Sequence, residues 1–309
     1  MGISDKVAEV YRELAAEGAL PLRVNAYLGG GMERARQLPE RTPELDPEGR
    51  GFFALRGLKL FADGALGSRG AVMIEPYSDD PENKGLWVTD PNELREAALT
   101  AASSGWQLAV HAIGDAGNRA VLDAFEAAKT KNPDADLRFR VEHAQILSAE
   151  DIPRFVALDV IASMQPTHAT SDMPWAEARV GADRIQGAYA WRSIVDSGAR
   201  FAGGSDFPVE RVPPLLGLYA AVSRQDGTGS PEGGWLPEQR LTLEEALAAF
   251  TKGAAYAAFA EEARGILRLG YMADITVYDR ALAADRSLLD TQIDMTVVGG
   301  VVRYQRESD

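Results

Sequence analysis

Short apolar runs and amphipathic segments alternate along most of the chain. Six runs are rich in branched or aromatic residues and have the length of buried strands: 20–28, 57–64, 107–114, 138–145, 160–168 and 200–208. Segments with apolar residues at helical spacing lie between most of them, for example 90–105 and 115–129. This alternation predicts a parallel sheet, which either closes into an eight-stranded barrel or stays open and doubly wound.

Two features favour the barrel over the open sheet. None of the runs is followed by a glycine-rich phosphate-binding motif, which open nucleotide-binding sheets carry. Polar residues collect at the carboxyl ends of the runs, where barrels form their active sites. Three long connections, 64–89, 167–184 and 207–240, suit pocket walls at that end. We therefore expect an α/β protein of the (β/α)8 TIM-type barrel class.

The pattern changes after residue 241. A long helix is predicted over 242–262, where Thr242 and Glu245 can form a capping box. Beyond it, short alternating runs with turn glycines predict a small antiparallel sheet. We place the domain boundary near residue 262, so that 1–262 form the barrel domain and 263–309 a small β domain.

The composition of the chain limits which partners it can bind and which residues could ligate a metal. The chain has 309 residues and a formal net charge of -14, which opposes binding to nucleic acid and to anionic lipid. No apolar segment is long enough to span a membrane, and no signal-peptide pattern opens the chain. We expect a cytoplasmic protein with a small-molecule substrate. Because the chain lacks cysteine, a bound metal would need histidine, carboxylate or a modified lysine.

The polar residues at the strand ends form a candidate metal site. The chain has three histidines, and His111 and His143 end successive predicted strands. Asp206 follows the last predicted strand, and Lys59 lies in the second. Two imidazoles and a carboxylate from parallel strands fit a divalent metal of the zinc class. Taken singly, each histidine could be a hydrogen-bonded structural residue, and Asp206 could bond the backbone of its own turn.

Lys59 has apolar neighbours on both sides, which leaves two interpretations. It could pair as a buried ammonium with Asp63 or Glu142. Alternatively, desolvation lowers the pKa of the amine, and the neutral form could accept carbon dioxide and become a carbamate ligand.

Two further polar residues follow the fifth predicted strand. Gln165 and His168 flank Pro166, which we expect to fix an exposed turn, and they either contact substrate or line the loop. Asp115, after His111, is interpreted as the N-cap of the next helix.

Several segments in a fixed order resemble the amidohydrolase superfamily, in particular the branch that includes N-substituted formamide deformylase and related metal-dependent hydrolases. The resemblance covers nearly the whole chain. Its segments are LKLFADGALGSRGA (58–71), LAVHAIGDAGNRAVLDAFE (108–126), RVEHAQILSAEDIPRF (140–155), VIASMQPTHATSDM (160–173), GGSDFPVE (203–210) and the tail ADITVYDR and VVGGVVRY (273–304).

The resemblance implies a (β/α)8 barrel with a small β-sandwich and a centre of one or two divalent metal ions, most commonly Zn²⁺. His111 and His143 match the histidine ligands of this centre, and Asp206 matches its carboxylate ligand. Lys59 matches the lysine that is carbamylated in binuclear members. The implied reaction is hydrolysis of an amide or related C–N bond by metal-activated water, with Asp206 as general base and then general acid.

One departure from the family pattern affects these expectations. The family begins with a first-strand His-x-His, whereas no histidine precedes His111. We therefore expect the chain to match the third to eighth barrel strands and to lack the first two. One alternative is a non-catalytic remnant or subunit that needs the missing part, and exposed strand edges would then favour a homodimer. Another is a metal-free enzyme that uses Asp206, Lys59 and His143 for proton transfer.

Overall fold

A parallel sheet of six strands organises the fold of the computed structural model, which describes residues 1–46 and 48–307. Each strand pairs in parallel with its neighbours in sequence, in the order β1 to β6. The strands are β1 (Val24–Leu28), β2 (Phe53–Phe61), β3 (Gln107–Ala112), β4 (Arg140–His143), β5 (Ile161–Met164) and β6 (Arg200–Gly203). The structure therefore has the parallel α/β architecture that the alternating pattern predicts.

Helices and short helical turns connect the strands. The α-helices are α1 (Asp5–Ala16), α2 (Gly31–Gln37), α3 (Pro91–Ser103), α4 (Asp115–Lys131), α5 (Ile152–Ala157), α6 (Pro166–Asp172), α7 (Ala176–Arg184), α8 (Trp191–Asp196), α9 (Pro214–Ser223), α10 (Leu243–Ala248), α11 (Ala254–Ala257) and α12 (Ser287–Asp290). Short 3₁₀ turns cover Leu38–Glu40, Ile185–Gly187 and Pro237–Gln239. The side chain of Ser4 caps α1, that of Asp90 caps α3, and Thr242 with Glu245 forms the predicted capping box of α10.

The predicted helix over 242–262 is interrupted, so this prediction was wrong in part. A π-helical turn, Ala249–Gly253, separates α10 from α11. Gly253 lies so close to β6 that an added Cβ would be 2.2 Å from the carbonyl oxygen of Phe201. A π-helical turn contains one residue more than an α-helical turn, and here it lies where the helix packs closely against the sheet.

Two local predictions were also wrong. Pro166 begins α6 and is buried, because proline fits the first turn of a helix, where its missing N–H is not needed. Asp115 lies inside the first turn of α4, and Gly114 takes the N-cap position. The side chain of Asp115 instead accepts hydrogen bonds from the backbone N–H groups of Ile74 and Ala116.

A charged cluster lies inside the sheet. Arg140 and Glu142 form an ion pair, with Nε 2.7 Å from Oε1 and Nη2 3.0 Å from Oε2. Arg140 also donates to Ser163 and to the hydroxyl of Tyr27. Gly57 of β2 makes room for that ring, since an added Cβ would lie 2.1 Å from Cδ1 of Tyr27. Each buried charge therefore has a specific partner.

The carboxyl-terminal part forms a separate antiparallel sheet, as expected from its alternating runs. Its strands are β7 (Ile275–Tyr278), β8 (Ile293–Val298) and β9 (Val301–Gln305). Asp274, just before β7, accepts from the guanidinium of Arg23 at 2.7 Å and so fastens this sheet to the segment before β1. No helix in the described residues is long and apolar enough to cross a membrane.

Candidate metal centre

The six site residues expected from the sequence border one cavity of 770 Å³. They are Lys59, His111, His143, Gln165, His168 and Asp206. The positions lie on or after five successive strands, β2 to β6. Parallel strands deliver their carboxyl ends to one face, which explains why residues so distant in sequence meet here. Their roles as metal ligands or substrate contacts stay predictions.

The three histidine rings follow one another around this cavity. The rings of His111 and His143 meet edge to face with centroids 4.6 Å apart, and those of His143 and His168 are 5.6 Å apart. Nδ1 of His143 lies 2.7 Å from Oε1 of Gln165, while the amide nitrogen of Gln165 donates to the carbonyl of Ser163. The Gln165 oxygen is therefore the acceptor, so Nδ1 of His143 carries the hydrogen and Nε2 is left with its lone pair.

His143, His168 and Asp206 fit a metal ion by geometry. Each offers one ligand atom, and these three atoms lie within 4.8 Å of one another. His168 was expected only as a substrate contact or loop residue. In the structure Nε2 of His168 lies 3.2 Å from Oδ2 of Asp206, and Nδ1 lies 3.5 Å from Oε1 of Glu210. His168 is thus a further candidate ligand, placed by α6.

The electrostatics keep two of the imidazoles neutral. Burial, with Lys59 nearby, lowers the pKa of His111 to about 4. Burial and the neighbouring His111 also lower the pKa of His143 well below its usual value. Neutral imidazole is the form that binds a metal. His168 differs, because its two carboxylate neighbours outweigh burial and raise its pKa to about 9.

Lys59 is buried among these groups without an ion pair in the described part of the chain. Burial lowers the pKa of its amine to about 8, although Glu142 acts in the opposite direction. Glu142 is instead held by Arg140, and Asp63 is held by backbone N–H groups. Among the described residues, neither carboxylate forms an ion pair with Lys59. Its carbamylation stays a prediction.

Two of the candidate ligands lie on strained backbone. His143 has φ of 76° and Asp206 has φ of 59°, in the left-handed region that residues with a Cβ rarely adopt. Such residues cost about 1–3 kcal/mol each and cluster at functional sites. The strain occurs where β4 and the segment after β6 turn their side chains towards the cavity.

The connection 167–184, expected to form a pocket wall, does border the cavity, but the sequence analysis did not predict the polar contact that Gln145 and Asp172 make there. Gln145 and Asp172 border it, and both contact the hydroxyl of the buried Tyr189. Trp175 also borders the cavity and packs against Gly67, where an added Cβ would be 3.2 Å from the indole. The polar pair gave no sequence signal, because Gln145 and Asp172 lie 27 positions apart and meet only in the fold.

Comparisons with known proteins agree with this architecture. The sequence matches the description "Amidohydrolase family" over residues 3–304. It is 34% identical to the protein YtcJ of Bacillus subtilis (strain 168) over 304 residues, which are 96% of this chain and 55% of that protein. It is 29% identical to N-substituted formamide deformylase of Arthrobacter pascens over 316 residues, covering 98% of this chain and 56% of the relative. The chain thus spans about half the length of these curated relatives.

A solved structure shows the same fold. The crystal structure of an uncharacterized metal-dependent hydrolase from Pyrococcus furiosus superposes with a TM-score of 0.75 at 33% sequence identity. The superposition covers 88% of this chain and 53% of that one. With a family match over almost its full length and a parallel sheet whose strand ends gather histidine, lysine and carboxylate, this chain belongs to the amidohydrolase family.

Proposed function

We propose that the chain contributes the metal centre of a hydrolase that cleaves an amide or related C–N bond in a small molecule. The observation that carries the proposal is the convergence of His111, His143, His168, Asp206 and Lys59 on one cavity. The solved relative that is described as a metal-dependent hydrolase, and the relative described as an N-substituted formamide deformylase, support the same class of reaction.

The donor set suits one or two divalent ions of the zinc class, because it combines neutral imidazoles with a carboxylate. Of the predicted ligands, His143 and Asp206 belong with His168 to the group whose ligand atoms lie within 4.8 Å of one another. His111 borders the same cavity and would join them as a ligand, and Lys59 would add an oxygen ligand as a carbamate. When bound there, such an ion supplies Lewis acidity, which lowers the pKa of water and polarises a carbonyl group.

We assign the proton transfer to Asp206. Its carboxylate faces the cavity and is half-buried. The carboxylate would accept a proton from the attacking water and pass it to the departing amine, which requires hydrogen-bond reach to both groups. Burial alone would raise the pKa of Asp206, but the hydrogen bond from His168 and the nearby His143 lower it overall. The carboxylate is therefore ionised at neutral pH and ready to act as a base.

Gln165 and His168 have different proposed roles in the site. Gln165 orients the ring of His143 through its amide oxygen, a role that differs from direct substrate contact. His168 borders the cavity, but its two ring nitrogens face Asp206 and Glu210, so the ring would have to lose a proton and its bond to Asp206 before it could bind a metal ion.

The test is hydrolysis with and without metal. The chain is stripped with a chelator, reloaded with Zn²⁺, and incubated with N-substituted formamides and small amides while free amine is measured. We expect amine release only in the loaded protein, reduced by about 100-fold or more in Asp206→Asn and His143→Asn. Asp123→Asn, on the exposed side of α4, is the control. Activity that survives chelation would favour the metal-free mechanism, and inactivity of a loaded, folded chain would favour the non-catalytic alternative.

A further inference from the structure

Three polar side chains that the metal centre does not use lie together in the wall of the cavity. Gln145 follows β4, Asp172 ends α6, and Tyr189 precedes α8. Nε2 of Gln145 donates to Oδ2 of Asp172 at 2.9 Å and also to the hydroxyl of Tyr189. The hydroxyl of Tyr189 donates in turn to Oδ2 of Asp172. The three side chains are therefore linked to one another by hydrogen bonds.

The carboxylate of Asp172 fixes the direction of these hydrogen bonds. An ionised carboxylate can only accept, so Gln145 must present its NH₂ group and Tyr189 its hydroxyl hydrogen. Both hydrogens of that NH₂ group are used, one towards Asp172 and one towards the hydroxyl, and the hydroxyl has only one hydrogen to give. The three side chains thus have no hydrogen left to donate to a ligand.

Two acceptor oxygens remain. Within residues 1–46 and 48–307, Oδ1 of Asp172 and Oε1 of Gln145 accept no hydrogen bond, although Gln145 is only 4% exposed. Both oxygens keep some contact with solvent, and both side chains border the cavity. A buried acceptor without a donor is costly, so a ligand that brings N–H or O–H groups would be stabilised at this wall.

The charges favour a cation among the possible donors. Burial raises the pKa of Asp172 from its ordinary value, and a bound cation would favour its ionised form. The net charge of -14 attracts cations towards the whole chain. Trp175, which follows α6, borders the same cavity and offers an apolar surface to the carbon chain of a ligand. A protonated amino group has three N–H donors and one positive charge, and so matches two acceptors of which one is a carboxylate.

We propose that Asp172 and Gln145 recognise a protonated amino group of the substrate, so that the substrate is an amide that carries an ammonium group apart from its scissile C–N bond. The inference rests on the proposed function, to which it adds the class of substrate. Oδ1 of Asp172 and Oε1 of Gln145 accept hydrogen bonds from the ammonium group. Tyr189 holds the carboxylate in place and does not touch the ligand.

The substitution Asp172→Asn reverses the recognition and leaves the surrounding hydrogen bonds intact. The oxygen of the new amide is expected to keep the Oδ2 position, which accepts from Tyr189 and Gln145. Its NH₂ group then takes the Oδ1 position and presents hydrogens to the cavity, where they oppose an ammonium group. Asp183→Asn is the matched control, because it removes an exposed carboxylate from the neighbouring helix α7.

The readout is an NMR titration of the metal-free chain at pH 7 with n-butylammonium chloride and with n-butanol, its neutral counterpart. An alkylamine, like a lysine side chain, is protonated at this pH. The indole N–H signal of Trp175 locates the ligand, and with five tryptophans in the chain it can be assigned by Trp175→Phe. We expect the parent chain to bind the ammonium ion about 10-fold or more tightly than the alcohol, and Asp172→Asn to lose this preference. Asp183→Asn should keep it.

Each result decides for or against the recognition site. Equal affinities for the two ligands in the parent chain would overturn it, as would an unchanged preference in a folded Asp172→Asn chain or an equal loss in Asp183→Asn. Weaker binding of both ligands by the same factor in Asp172→Asn would show a structural role instead. If Asp172→Asn does not fold, Gln145→Met removes the second acceptor, and an ammonium affinity that falls by less than about 2-fold would refute the site.

The outcome is independent of catalysis. Binding is measured without metal and with ligands that have no amide bond, so absence of hydrolysis would refute the proposed function and leave this inference standing. Hydrolysis by a chain that shows no preference for the ammonium ion would refute this inference alone.

Discussion

His168 and Asp206 form a hydrogen-bonded ion pair, with Nε2 of the imidazole 3.2 Å from Oδ2 of the carboxylate. The pair joins α6 to the segment after β6. Its hydrogen bond engages two of the three side chains, His143, His168 and Asp206, that could bind a metal ion at this position. Metal binding must therefore displace a proton from His168 if this ring becomes a ligand.

The first prediction concerns the pH dependence of stability without metal. The pKa of His168 rises from its ordinary value of 6.5 to about 9 in the fold. A raised pKa means that the ring contributes stability below pH 6.5 and loses it as the pH rises through 9, by at most roughly 3 kcal/mol. Urea unfolding at pH 6 and above pH 9 measures the loss. His168→Gln should lack this component, and an identical pH profile in both proteins would contradict the prediction.

The second prediction is that Lys59→Met stabilises the metal-free chain. The folded pKa of Lys59 is lowered from 10.5 to about 8, so burying the ammonium costs stability below pH 8, and this cost disappears above pH 10.5. We expect a gain of about 1–3 kcal/mol in unfolding free energy at pH 7, together with weaker Zn²⁺ binding. Lys6→Met, on the exposed side of α1, is the control. A destabilised Lys59→Met chain would show that the ammonium has a partner that stabilises it.

The third prediction concerns the ion pair inside the sheet. Glu142→Gln leaves Arg140 buried without its carboxylate and should cost about 3–5 kcal/mol of unfolding free energy. The double variant Arg140→Met with Glu142→Leu should lose less than Glu142→Gln alone. Glu96→Gln breaks the exposed pair with Arg36 and should change the unfolding free energy far less, because water screens this pair. Denaturant unfolding of the parent chain and the three variants measures these losses. Equal losses of unfolding free energy in Glu142→Gln and Glu96→Gln would contradict the prediction.

Sequence patterns predicted the part of the site that depends on strand ends. His111, His143 and Asp206 could be placed because parallel strands bring their carboxyl ends to one face. The contact between His168 and Asp206 could not, because it depends on a helix that begins at Pro166, which also suits a turn. The partners of Asp63 could not be foreseen either. They are backbone N–H groups up to 51 positions away, and backbone groups leave no trace in the side-chain pattern.

The fourth prediction is self-association of the chain. Among the described residues, β1 and β6 each pair with only one strand of the sheet, apart from a single bridge between Leu28 of β1 and Ile3. Such edges favour pairing with another chain, so we expect a homodimer or larger species at high concentration. Light scattering over a concentration series measures the oligomeric state. Elemental analysis measures bound zinc, which we expect to be weakly held.

A surface variant tests where the association occurs. Val212 is 58% exposed after β6, and Val212→Lys should shift the association to higher concentration. Leu269→Lys is the control, because Leu269 is 99% exposed and lies in the segment before β7, not in the segment after β6. A monomer that holds its metal tightly would contradict the prediction.

The unbroken order of the six strands has a consequence for synthesis on the ribosome. Each strand pairs with the one made just before it, so the sheet can grow at one edge while the chain is still emerging. The candidate metal ligands are then made in the order Lys59, His111, His143 and Asp206. A nascent chain halted before residue 200 would already possess both imidazoles of the adjacent strands and would still lack the carboxylate. The last strand of the parallel sheet to be synthesised is therefore the one after which the candidate carboxylate Asp206 follows.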